Sequence, residues 1–222
     1  MSIILASASP RRKELMKLVG FEYKVVPSDV EEVVPCGMAI EDIPQYLSSL
    51  KANDVAARYP DDIVIGSDTL VEFDGKTLGK PVDEADAARM LRELSGRHHK
   101  VYTGVTIVYP AGERGGDERR GDEACGEQGS EGCSKRGGDK ACCEKSRKTE
   151  SFTSIADVEF LELTDDVIDW YISTGETLDK AGAYGIQGPG AVLIKGICGD
   201  YFTVMGLPIA EVWHRIKNHE RN

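Results

Sequence analysis

Ile3-Ile4-Leu5-Ala6-Ser7-Ala8-Ser9-Pro10-Arg11-Arg12 is the stretch on which the fold turns. Residues 3–6 form a short apolar run with the length and composition of a buried strand. Ser9 followed by Pro10 predicts a helix directly behind it, with serine at the N-cap, proline at the first helical position and Gly20 as the stop. A strand that feeds straight into a helix opens an α/β layer. Its junction also exposes unpaired backbone N–H groups and about half a positive charge. Two adjacent arginines and the hydroxyls of Ser7 and Ser9 at that junction suit a phosphate chain. A plain serine cap with solvated arginines is the competing reading.

Beyond this stretch, strand and helix patterns alternate. Residues 23–26 read as a second strand, and Ile43, Tyr46, Leu47 and Leu50 follow helical spacing with Pro44 near the start. Residues 63–65 read as a buried strand and residues 70–78 as a hairpin around Asp74-Gly75. Asp83 and Asp86 open the next helix as a capping box and Gly96 closes it, with Ala87, Met90, Leu91 and Leu94 on its buried face. A helix is expected over Asp165–Ser173, a strand pair around 191–203, and a last helix from Pro208 with Ile209, Val212, Trp213 and Ile216 in one stripe. The class is α/β in the mixed α+β sense, because strands also adjoin one another directly.

A chain of 222 residues suffices for one well-buried domain, residues 1–222. Its net charge of −11 argues against nucleic acid as a partner, which requires a basic footprint. A polyanionic substrate would therefore need locally clustered cations and a divalent metal. No stretch approaches the roughly 18 apolar residues of a membrane span, and the opening run is too short for a signal peptide. The expectation is a cytoplasmic protein without a membrane partner.

Between Ala111 and Ser151 no Ile, Leu, Val, Met, Phe, Tyr or Trp occurs. Such a segment cannot bury enough apolar area to offset the entropy of ordering it. Residues 111–150 are thus expected to be a low-complexity, disordered insertion joining strands at 100–109 and 152–161. Its Cys125, Cys133, Cys142 and Cys143 match no common zinc spacing, and with Cys36 and Cys198 they form no disulfide framework.

Several familiar motifs are absent. Gly75-Lys76-Thr77 resembles the tail of a phosphate loop, but Leu70 stands where its first glycine belongs, and no dinucleotide fingerprint or Gly-x-Ser-x-Gly elbow exists. Asp68, directly after a buried run, is expected at the rim of the sheet, as a metal ligand, a base taking a proton from water, or an ordinary acidic turn residue. Lys80 in Leu78-Gly79-Lys80-Pro81 could offer a phosphate a mobile point charge, and Lys51 at the edge of its helix stripe could point into a cleft. Ser28-Asp29-Val30-Glu31-Glu32 packs three carboxylates that suit either solvent or a cation. The Gly-rich stretch 179–188 carries Tyr184 and Gln187, a composition suited to wrapping a planar base or to a plain connector.

Taken together, Leu5-Ala6-Ser7-Ala8-Ser9-Pro10-Arg11-Arg12, residues 28–32, Leu50-Lys51-Ala52, Gly66-Ser67-Asp68-Thr69, Gly79-Lys80-Pro81, Thr103-Gly104-Val105, residues 179–188 and Met205-Gly206-Leu207-Pro208 resemble the Maf family of nucleotide pyrophosphatases. The resemblance covers nearly the whole chain apart from the insertion. It implies an elongated central mixed sheet flanked by helices, with two lobes around a cleft, as in inosine triphosphate pyrophosphatases. It further implies hydrolysis of a nucleoside triphosphate to its monophosphate and pyrophosphate.

By the same resemblance, Asp68 is the proton acceptor, with Lys51 and Lys80 as catalytic cations. Ser7, Ser9, Arg11 and Arg12 hold the phosphates, and Glu32 with Asp68 holds Mg²⁺ or Mn²⁺. Arg11, Thr69 and Gln187 match positions that separate substrate subgroups, and Tyr184-Gly185-Ile186-Gln187-Gly188 resembles the branch acting on dTTP and UTP. The family expectation is a homodimer. The chain departs from the family pattern in the insertion and at Ser67, where alanine is usual. The alternatives are a pyrophosphatase for 7-methyl-GTP or another modified nucleotide, and a nucleotide-binding regulator of cell division that does not turn its ligand over.

Overall fold

Residues 2–111 and 147–221, those that this computed structural model describes, build one mixed sheet flanked by helices. In chain order the elements are β1 (Ile3–Leu5), α1 (Pro10–Leu18), β2 (Tyr23–Val25), α2 (Ile43–Arg58), β3 (Ile63–Phe73), β4 (Lys76–Leu78), α3 (Glu84–Leu94), β5 (His98–Val108), β6 (Thr149–Phe160), α4 (Asp165–Ser173), β7 (Ile194–Cys198), α5 (Tyr201–Met205) and α6 (Ile209–Arg221). The seven strands lie in the order β2-β1-β3-β5-β6-β7, with β4 also paired to β3. β1 runs parallel to β2 and β3, and every other pairing is antiparallel.

The expected buried strand at 63–65 and the first arm of the expected hairpin are one continuous strand, β3. Gly66-Ser67-Asp68-Thr69 has the composition of a turn, yet its ladder to β5 continues through Gly66↔Thr106, Ser67↔Val105, Asp68↔Gly104 and Thr69↔Thr103. Pairing with a long neighbour overrides local preference here. Asp68 therefore sits mid-strand and not at the rim where the sequence reading placed it. The hairpin turn itself is as expected, with Asp74 and Gly75 both at positive φ (49° and 74°), the geometry of a two-residue turn.

Two further expectations are corrected. Ser9 makes no side-chain cap on α1; its carbonyl accepts from the Lys13 N–H, while its own N–H donates to Ser7 Oγ at 3.3 Å. In place of a strand pair around 191–203 there is a 3₁₀ segment (Gly188–Leu193), the single strand β7 and the short helix α5. The reason is Asp200, whose carboxylate accepts from the N–H groups of Phe202 and Thr203 and so starts a helix.

The core is divided into two lobes along the sheet. In one, Ile63, Ile65, Val105 and Ile107 pack with Leu15, Met16 and the Ile209/Val212/Ile216 stripe of α6. On the opposite face of that lobe, Ile4, Val64 and Val108 pack against Ala52, Val55 and Ala56 of α2. In the other lobe, Val71, Phe73, Val101, Val158 and Phe160 pack with α3 and α4. The two 11-residue strands β3 and β5 cross both lobes.

Beside β3, β1 pairs as far as Ile65 and β4 begins at Val71. Among the described residues no strand covers the β3 edge between them. That gap lies where the lobes meet, and it opens the cleft described below.

β5 and β6 pair from His98↔Glu159 to Val108↔Thr149, and the Tyr109 N–H donates to the Lys148 carbonyl. The two strands flanking the expected insertion are thus adjacent, while residues 112–146, most of that segment, lie outside the described residues. No described helix is long and apolar enough to cross a membrane.

Candidate active site

Asp68 and Thr69 project to opposite faces of β3, and because the strand edge is open there, both reach one cleft of about 620 Å³. On the Asp68 side, α2 lies directly on the sheet. A Cβ on Gly66 would stand 2.4 Å from the Ser48 carbonyl oxygen, and one on Gly104 would stand 2.1 Å from the Pro44 carbonyl carbon. The absence of these two side chains brings Lys51 down to the strand. Its Nζ lies 2.7 Å from Asp68 Oδ1 and 3.0 Å from Glu32 Oε1. Lys51 and Asp68 are nearly buried, whereas Glu32 is half exposed at the mouth.

On the Thr69 side, Arg12 is fixed by three donated hydrogen bonds: Nε to the Gly206 carbonyl (2.8 Å), Nη1 to Ser7 Oγ (3.0 Å) and Nη2 to Thr69 Oγ1 (3.1 Å). A guanidinium has five N–H donors, so two remain for a ligand. Burial lowers the Arg12 pKa and the nearby Asp68 charge opposes that shift. Ser67, the departure from the family pattern, donates to the same Gly206 carbonyl at 2.9 Å, a bond alanine cannot make. Ser9, Arg11 and Lys80 also line the cleft. Cations from α1, α2 and the β4–α3 turn therefore converge despite the net acidity of the chain.

Gln187 is placed differently. It lines an adjoining recess of about 510 Å³, together with Glu14, Glu176 and Gly185, and this recess shares Pro10, Arg11, Asp179 and Lys180 with the cleft. The backbone carrying Gln187 is pinned from several sides. The Gly185 N–H donates to the Tyr171 hydroxyl at 3.0 Å, and Lys180 Nζ donates to the Glu176 carbonyl at 2.6 Å. Tyr184 packs edge-on against Phe160 and His99, with its hydroxyl 2.6 Å from His99 Nε2.

His99 is 3% exposed and its Nδ1 has no hydrogen-bond partner among the described residues. Desolvation pulls its pKa down to about 4. The unfolded chain then binds this proton more readily than the folded one between pH 6.5 and 4. The contribution to stability is complete above pH 6.5 and is lost as pH falls through that window, about 3 kcal/mol in all. Melting temperature is expected to drop between pH 7 and pH 5, and this drop should flatten in His99→Phe. An equal slope in both proteins would refute the assignment.

Among the described residues no group of three or more His, Cys, Asp or Glu side chains gathers as a metal site. The donor set nonetheless suits Mg²⁺ or Mn²⁺ held jointly with a ligand. Two carboxylates, Asp68 and Glu32, already converge on one cation, the Lys51 ammonium. Mg²⁺ is commonly bound by one or two carboxylates together with phosphate oxygens and water.

The family model for "Maf-like protein" matches residues 2–127 and 134–219. The chain belongs to the Maf-like family. Relatives in this family include a dTTP/UTP pyrophosphatase of Bacillus pumilus, 42% identical over 209 residues, covering 94% of this chain and 92% of the relative. Another is a dTTP/UTP pyrophosphatase of Bacillus cytotoxicus, 40% identical over 217 residues, covering 98% and 95%. The solved structure of the Staphylococcus aureus Ham1 protein matches 73% of either chain at 15% identity and TM-score 0.39, too remote to bear on the site.

The Maf-like motifs quoted from the sequence thus converge on one place. Ser7, Ser9, Arg11, Arg12, Glu32, Lys51, Asp68, Thr69 and Lys80 all line the cleft, and Gln187 lines the recess beside it. The motifs gave no role to Thr103, whose hydroxyl lies 3.0 Å from that of Thr69, or to the Gly206 carbonyl, which receives both Arg12 and Ser67. The Thr103-Gly104-Val105 motif marks the position in the sequence, and strand register alone shows that Thr103 faces Thr69 on β5.

Proposed function

We propose that this chain hydrolyses dTTP and UTP to the monophosphate and pyrophosphate, in a reaction supported by a divalent metal. The enzyme class, a nucleoside triphosphate pyrophosphatase, follows from relatives of about 40% identity over nearly the whole chain. The observation that carries the mechanism is Asp68, held by Lys51 at 2.7 Å on the open edge of β3, in the cleft that Arg11 and Arg12 also line.

In this reading a water attacks the α-phosphorus, Asp68 accepts its proton, and the bond from the α-phosphorus to the bridging oxygen breaks with pyrophosphate leaving. Charge that develops on the leaving group meets the two uncommitted N–H donors of Arg12, with Arg11 and Lys80. The Arg12 donors are fixed before the ligand arrives, so little reorganisation of that guanidinium is needed in the transition state. Asp68 and Glu32 would hold the metal ion, which when bound neutralises phosphate charge. The base would enter the recess beside Arg11, where the amide of Gln187 supplies both a donor and an acceptor to a pyrimidine edge.

Pyrophosphate release from dTTP, UTP, CTP, dATP, GTP and 7-methyl-GTP with Mg²⁺ tests this reading. Turnover is expected for dTTP and UTP, with Gln187→Ala reducing the preference for these bases at least about tenfold. Preferred turnover of 7-methyl-GTP would overturn the base assignment. Binding without any turnover would favour the regulatory alternative.

A further inference from the structure

The hydroxyl protons around Arg12 can be assigned without observing a hydrogen. Thr103 Oγ1 lies 2.7 Å from the Thr203 carbonyl oxygen, and a carbonyl only accepts, so the one Thr103 proton is committed there. In the 3.0 Å contact between Thr103 and Thr69, the donor is therefore Thr69. The Thr69 oxygen in turn faces Arg12 Nη2 at 3.1 Å, and a guanidinium only donates. The chain runs one way: Arg12 to Thr69, Thr69 to Thr103, Thr103 to the backbone just before the Gly206 carbonyl that also receives Arg12 Nε. Thr103 is fully buried, so no solvent molecule replaces its hydroxyl.

We propose that Thr103 is a positioning residue for the reaction: by accepting the hydroxyl proton of Thr69 it fixes Thr69 as an acceptor for Arg12, and so aims the guanidinium into the cleft. Thr69 then presents no proton to the ligand, and its part in the site is to orient Arg12. The effect on turnover rests on the reading of the cleft as a triphosphate site; the effect on Arg12 does not.

Thr103→Val keeps the side-chain shape and removes the acceptor, whereas Thr103→Ser keeps the hydroxyl. Loss of one buried hydrogen-bond partner is expected to lower kcat/KM for dTTP about tenfold in the valine variant, with serine restoring it to within about threefold of wild type. Independently of activity, the Arg12 Nε–H signal, assigned by its absence in Arg12→Lys, should exchange with solvent about tenfold faster in Thr103→Val than in wild type or Thr103→Ser. Thermal melts verify that each variant is folded.

An unchanged exchange rate overturns the proposal, as does a serine variant as impaired as the valine one. Unchanged kcat/KM in Thr103→Val overturns it when the wild type turns over. If the wild type releases no pyrophosphate from any nucleotide, the proposed function has failed and the exchange rates alone decide the role of Thr103.

Discussion

Asp68→Asn is expected to lower kcat about a thousandfold, roughly 4 kcal/mol of transition-state stabilisation, while leaving KM for the nucleotide within a few-fold. Asparagine preserves the size of the side chain and an oxygen for Lys51 Nζ, now at 2.7 Å from Asp68 Oδ1. What it loses is the capacity to take up a proton. The groups assigned to the phosphates lie elsewhere, on α1 and in the β4–α3 turn, so binding should persist. Lys51 also retains Glu32 at 3.0 Å, and the fold should melt within a few degrees of wild type.

A metal titration separates the two roles given to Asp68. If it served only to help hold Mg²⁺, a large excess of the ion would restore much of the activity. A loss that excess Mg²⁺ does not repair identifies the proton acceptor. An Asp68→Asn enzyme with near wild-type kcat at ordinary Mg²⁺ would remove the mechanism altogether.

Gly104→Ala should be the most damaging single methyl group in the molecule among the positions argued above. The added Cβ would lie 2.1 Å from the Pro44 carbonyl carbon and 2.3 Å from the Gln45 nitrogen. Both are backbone atoms of α2, so no flexible side chain can yield, and the helix must lift from the sheet. Overpacking of this kind costs about 3 kcal/mol or more, a fall in melting temperature on the order of 10 °C for a chain of this size.

The same displacement draws Lys51 away from Asp68, so activity should fall together with stability. Gly196→Ala in β7 is the control, since its Cβ would meet only Glu159 Oε2 at 3.9 Å, and its effect should stay within about 0.5 kcal/mol. Differential scanning calorimetry of the two variants decides the matter. Equal melting temperatures would show that α2 does not rest on Gly104 in solution.

Much of the molecule was legible in its residue order. The opening strand and helix, the apolar stripes on α3 and α6, and the Asp74-Gly75 turn each follow from local rules of spacing and backbone conformation, whereas α2 buries Leu47, Ala52, Val55 and Ala56 and leaves Ile43, Tyr46 and Leu50 of the expected stripe only partly covered. The capping pair is visible too: Asp83 Oδ1 accepts from the Asp86 N–H, and the Asp86 carboxylate accepts from the N–H of Val82, one residue before the N-cap. The resemblance of the quoted motifs to the Maf-like family carried Asp68, Lys51, Lys80 and the paired arginines, and the cleft collects all of them.

The strand limits of β3 were not legible. Gly66-Ser67-Asp68-Thr69 looks like a turn until β5 pairs along it, and pairing is a property of two segments far apart in the chain. The helix α5 was misread for a related reason, because Asp200 starts a helix only once its carboxylate turns onto the following N–H groups.

Residue order alone therefore determined most of the element types, the mixed α/β class and, through its motifs, the set of side chains that meet in the cleft. Tertiary structure decided how they meet. It left the β3 edge open between β1 and β4, laid α2 on two glycines so that Lys51 reaches Asp68, and set Thr103 opposite Thr69. The physical reason is range. Helix periodicity and turn conformation are fixed by neighbours a few residues apart, whereas a ladder register, a close backbone approach and the direction of a hydroxyl proton depend on atoms that only the folded chain brings within hydrogen-bond distance.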